Sequence, residues 1–156
     1  MAKKASPVGR AVKSSLKAQA KKEGQRLQGH RPTFLVADPS SPISQIHDLA
    51  WVGQHTQTIK LATQELAKDN QSLKDKLNLL DQRAESYLAQ GTFSLASKDA
   101  ELMMEMTEAD HGELKVQALN RKAFVQIKTG DVQDAIKTAT LAVEIASSEE
   151  VHDKRL

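Results

Sequence analysis

Residues 118–146 read ALNRKAFVQIKTGDVQDAIKTATLAVEIA, and this stretch decides the fold. With Val116 just ahead of it, Leu119, Ala123 and Ile127 recur at three- and four-residue intervals. That spacing puts apolar side chains on one face of an α-helix. Gly130-Asp131 interrupts the pattern, and Ala135, Ala139 and Ala142 resume it. A glycine just past an apolar-periodic run is expected where a helix ends in a left-handed residue. The stretch therefore predicts two helices joined by a tight turn and touching through small side chains.

The same arrangement lies upstream. Leu77, Leu80, Ala84 and Leu88 share a helical face before Gly91, and Ile43, Ile46 and Ala50 share one before Gly53. The three glycines stand 38 and 39 residues apart. Leu79–Ala84 lines up with Ala118–Ala123, each run ending seven residues before its glycine. Beyond the glycines, Ala96, Ala100 and Met104 line up with Ala135, Ala139 and Val143, and with Thr58, Ala62 and Leu66. Self-similarity at a period of 20–50 residues marks stacked supersecondary units.

Ala118–Ala146, with its leucine and small residue, its Gly-Asp turn and its alanine-lined second helix, resembles a tetratricopeptide repeat. The likeness is good over 116–146, fair over 77–106 and partial over 42–68. The family's tryptophan, second glycine and closing proline are absent, and the period exceeds its usual 34, with connecting turns at Lys68–Ser72 and Thr107–Gly112 to take up the extra length. The resemblance implies an all-α fold, a short right-handed α-α superhelix of helical hairpins spanning 42–156. Another helical-hairpin repeat or an ordinary helix bundle is the alternative. Ser147-Ser148-Glu149-Glu150 reads as the start of a further helix. A stack needs a polar cap at each end, so that short segment covers the last apolar edge, or the edge pairs with another copy, or the chain belongs to something longer.

All four prolines lie within the first 42 residues, and the composition changes there. Residues 1–31 carry nine Lys/Arg against the single Glu23, a net +8, and the remainder carries 13 against 19 acids, a net −6. With few large apolar groups to offset the entropy of ordering, 1–31 is expected to be a disordered basic arm. Residues 32–41 form a linker whose Phe34, Leu35 and Val36 are apolar enough to lie extended on a helical domain. Ser41-Pro42 then supplies a capping serine and a proline suited to a first helical position.

The chain has no cysteine, so disulfides, thiol nucleophiles and cysteine-ligated metal are excluded. Its five histidines, at 30, 47, 55, 111 and 152, form no metal-binding spacing. No phosphate-binding glycine loop, nucleophile elbow or dinucleotide fingerprint occurs. Glu101, Glu105 and Glu108 share a helical face near Asp99 and Asp110, which reads first as a solvated surface and second as a site for a cation or a basic peptide. Met103 and Met104 suit core packing, and with Met106 they could also form an adaptable patch. The expectation is a protein without enzymatic activity, catalytic residues, cofactor or metal.

Two surfaces remain. The resemblance implies a peptide groove lined by the first helices, with Asn78, Asp81 and Glu85 of one hairpin beside Gln117, Asn120, Phe124 and Lys128 of the next. It lacks the paired Lys/Asn pattern with which some family members clamp a terminal carboxylate. The second surface is the arm, where Lys3, Lys4, Arg10, Lys13, Lys17, Lys21, Lys22 and Arg26 accompany Val8, Val12 and Leu16. Such a segment suits an acidic protein, RNA, DNA or an anionic membrane surface. It also shares the basic, serine-containing, acid-poor character of a mitochondrial address, though with Lys in place of Arg. The expected compartment is cytoplasmic or nuclear, with that address left open. The reading is an adaptor or scaffold for a protein or peptide partner, with nucleic-acid binding through the arm as the alternative. If the arm binds RNA or DNA, removing 1–31 should abolish a salt-sensitive mobility shift, and a full chain that shifts neither nucleic acid rejects that alternative.

Overall fold

The computed structural model describes residues 41–110 and 112–153. The basic arm and residues 32–40 of the linker lie outside the described residues. Among those described, all regular structure is helical: α1 (Pro42–Trp51), α2 (His55–Leu66), α3 (Leu73–Ala89), α4 (Phe93–Met106), α5 (Glu113–Thr129) and α6 (Val132–Asp153). None is long and apolar enough to cross a membrane.

Local chemistry sets the ends of these helices. Ser41 caps α1, its Oγ accepting from the Ser44 N–H at 3.1 Å, and Pro42 occupies the first turn, where its missing N–H leaves nothing unpaired. Ser72 caps α3 by accepting from the Asp75 N–H. The three hairpin turns are one motif written three times. Gly53, Gly91 and Gly130 have φ of 78°, 73° and 93°. Each donates its N–H three residues back, to Ala50, Leu88 and Ile127. The next residues, Gln54, Thr92 and Asp131, donate five back, to Leu49, Tyr87 and Gln126, each at 2.8 Å. These paired bonds close the helix end only when the turning residue is left-handed, at a cost of about 1–2 kcal/mol for a side chain bearing Cβ.

The helices pack as three successive hairpins. Each first helix touches its own second helix, and both α3 and α5 also touch the two helices of the hairpin before them. Three clusters fill the interior. Ile46, Ala62 and Leu79 join α1, α2 and α3. Leu77, Leu80, Met103 and Ala118 join α3, α4 and α5. Ala84, Leu88, Ala96, Ala100 and Val125 join the same three helices nearer the Gly91 turn. The alanines are buried because only a methyl fits where two helices approach, and aromatic side chains are nearly absent from the core.

Four expectations need correction. Ser147-Ser148 begins no new helix. It lies inside α6, where Ser148 Oγ donates to the Ile145 carbonyl at 2.7 Å, so the hydroxyl is satisfied without breaking the helix. Ile127 is 55% exposed, and Val125 is the buried residue of that turn, at 4%. Ala139 and Val143 are exposed although their counterparts Ala100 and Met104 are packed. These last three share one cause: α3 and α4 are covered by α5, whereas no described helix follows α6. Met103 is fully buried, with Met104 and Met106 packed against its cluster.

Candidate functional site

On α3, Asn78, Asp81 and Glu85 lie at intervals of three and four, so they line one face. On α5, Gln117, Asn120, Arg121, Phe124 and Lys128 do the same. Because α3 and α5 lie side by side, these faces meet. Between them opens a cavity of about 530 Å³ walled by Asp81 and Glu85 on one side and by Glu113, Val116, Gln117, Asn120, Arg121 and Phe124 on the other.

The structure divides the expected groove residues into two sets. One set is engaged internally. Gln117 Nε2 donates to Asn78 Oδ1 at 3.0 Å, and of the two only Gln117 lines the cavity. Asp81 Oδ1 accepts from Arg121 Nε at 2.6 Å, and Glu85 Oε2 accepts from Arg121 Nη2 at 3.2 Å. The other set is open. Asn120 is exposed and makes no side-chain hydrogen bond among the described residues. Phe124 is 43% exposed, with the Arg121 guanidinium carbon 5.7 Å and the Lys128 Nζ 5.3 Å from its ring centroid. Lys128 stands outside the cavity wall, beside that ring.

Arg121 is the residue the sequence reading did not single out. Burial disfavours its charge, but the hydrogen bond and the negative charge of Asp81, helped by Glu85, outweigh that, and its pKa rises above the ordinary value. The guanidinium therefore stays charged. Register gives a reason for the division. Asn120 occupies the α5 position that Asp81 occupies on α3, and Asp81 is engaged by the following hairpin, whereas no described hairpin lies after Asn120's own. No spacing rule marks such a contact, since its partners are 40 residues apart.

No family model, curated protein or solved structure matches this chain. What the site can do must be read from its own chemistry. It offers an aromatic ring beside two cations, an amide that makes no side-chain hydrogen bond among the described residues, and carboxylates on both walls.

A second network lies on the other side of α3. Arg83 Nε and Nη2 donate to Asp99 Oδ2 at 2.8 Å and to Asp99 Oδ1 at 2.6 Å, and Nη1 donates to Thr63 Oγ1 at 3.0 Å. Asp99, grouped by sequence with the acidic residues of α4, is buried, whereas Glu101, Glu105 and Glu108 are exposed. The hydrogen bond to Asp99 holds the Arg83 pKa above its ordinary value against the effect of burial. This network joins α2, α3 and α4.

Proposed function

We propose that the chain is a non-catalytic interaction module of tetratricopeptide-like type, a short right-handed stack of hairpins that binds a peptide or protein segment along α3 and α5. The single observation carrying this reading is the half-exposed Phe124 beside Asn120, which makes no side-chain hydrogen bond among the described residues, on the wall of a 530 Å³ groove. Trp51 and Phe93 are as exposed, at 47% and 41%, but Phe124 is the aromatic that lines this groove, and an aromatic anchor beside a polar rim is the usual anatomy of a peptide site. An asparagine can bond a peptide backbone as donor and acceptor together. Lys128, beside the ring, suits an acidic side chain next to the anchored residue. Arg121 acts differently, fixing the width of the groove by tying α5 to Asp81 and Glu85.

Full-length chain used as bait should retain a partner that the Phe124→Ala, Asn120→Ala double variant retains far less. Titration of that partner should show Kd weakened roughly 10–100-fold for Phe124→Ala, the effect of removing one anchor. Far-ultraviolet circular dichroism should be unchanged, because neither side chain supports the core. Equal affinity for both proteins would mean the groove is idle.

A further inference from the structure

We propose that the binding face continues onto α1, and that its occupant is an extended segment with two large apolar residues about five or six positions apart, one seated on Phe124 and the other on Trp51. This rests on the reading of α3 and α5 as a peptide groove and names the chemistry of the ligand.

Register places Trp51. The turns at Gly53, Gly91 and Gly130 share one hydrogen-bond pattern, so residues at equal distances before them hold equivalent places on α1, α3 and α5. Six residues before each glycine stand His47, Glu85 and Phe124, and two before stand Trp51, Ala89 and Lys128. Glu85 and Phe124 line the groove, and Lys128 sits beside the Phe124 ring, so both places belong to the groove side. Helix α3 touches α1 as well as α5, so the three first helices lie side by side. Trp51 therefore carries the same side one helix further, and it is half-exposed there. Between the two rings α3 presents the exposed Ala89, whose methyl lets a backbone pass close to the helix.

The span between the rings decides the occupant's spacing. Packed helices lie 8–10 Å apart, which puts α1 roughly 16–20 Å from α5. An extended chain rises about 3.3–3.6 Å per residue and crosses that span in about five or six residues. A helical segment needs about eleven to thirteen, and its backbone groups are already bonded to one another. Asn120 makes no side-chain hydrogen bond among the described residues, and its amide can serve as donor and acceptor together only to a backbone left open. The aromatic pair and the amide thus ask for the same ligand, a strand-like segment anchored at both ends.

Trp51 is the chain's sole tryptophan, so its fluorescence reports this half of the site without any substitution. Short peptides are selected from a random display library on the full chain and kept if Phe124→Ala weakens them at least about 10-fold. They should carry two large apolar residues at the stated spacing. Their binding should move the Trp51 emission to shorter wavelength and shield it from acrylamide, and Trp51→Ala should weaken them roughly 10-fold. Alanine at one of the two peptide anchors should remove the emission shift and keep the dependence on Phe124. Kept peptides that leave Trp51 emission and quenching unchanged overturn the two-anchor site while the groove of α3 and α5 stands. A selection that yields no Phe124-dependent peptide overturns both.

Discussion

Replacing Asp99 with alanine is expected to destabilise the helical unit by about 3 kcal/mol, since removing one member of a buried pair strands the other charge. Asp99 has a side chain 6% exposed and Arg83 one 16% exposed, and the bidentate contact leaves Arg83 no equivalent partner. Urea unfolding measures the loss directly. With a slope of roughly 1–3 kcal/mol per molar, the midpoint should fall by more than about 1 M. The Arg83→Met, Asp99→Leu double variant separates two causes. Apolar groups of similar volume remove both charges together, so stability should return to within about 1 kcal/mol of the parent. A double variant as weak as Asp99→Ala would show that Arg83 matters for its bond to Thr63 on α2 and not for the ion pair.

Leu80→Ala is the second large effect, at about 3 kcal/mol within the 2–5 kcal/mol range for such truncations. Leu80 is 1% exposed and packs with Leu77, Met103 and Ala118, so three helices wall the space it would vacate. Those walls cannot collapse easily, because Arg83 holds α3 to α4 and α2 while Arg121 holds α5 to α3. Thermal and urea unfolding should both report the loss with an unchanged urea slope. Ile127→Ala provides the contrast: at 55% exposure it should change stability by less than about 0.5 kcal/mol. A small loss for Leu80→Ala would mean that this cluster is loosely packed.

The helices and their turns were legible because the chemistry that sets them is local. Gly53, Gly91 and Gly130 announce left-handed turns, Ser41-Pro42 announces a helix start, and the periodic apolar faces say which side is buried. The stripe of Leu77, Leu80, Ala84 and Leu88 is core throughout. Illegible were the choices that depend on what comes to lie opposite. Arg83 and Asp99 are 16 residues apart and Arg121 and Asp81 are 40, and neither interval is a recognisable motif. Val125 is buried and Ile127 is not, because only the helix packed against α5 decides which of two apolar neighbours turns inward. Of the seven groove residues, Asn78 and Gln117 satisfy one another, which equal spacing in two repeats hints at and only coordinates reveal.

Every contact between helices links elements one or two places apart in chain order. Opening one end of such an arrangement removes support only from its immediate neighbours, so the unit can come apart in steps from either side. Helix α3, which touches α1, α2, α4 and α5, should therefore hold its amide protons longest in deuterated solvent, and α6, which among the described helices touches only α5, should surrender them early. Among the described helices, a protease acting on the native chain would trim α6 first and leave the Arg83 network standing.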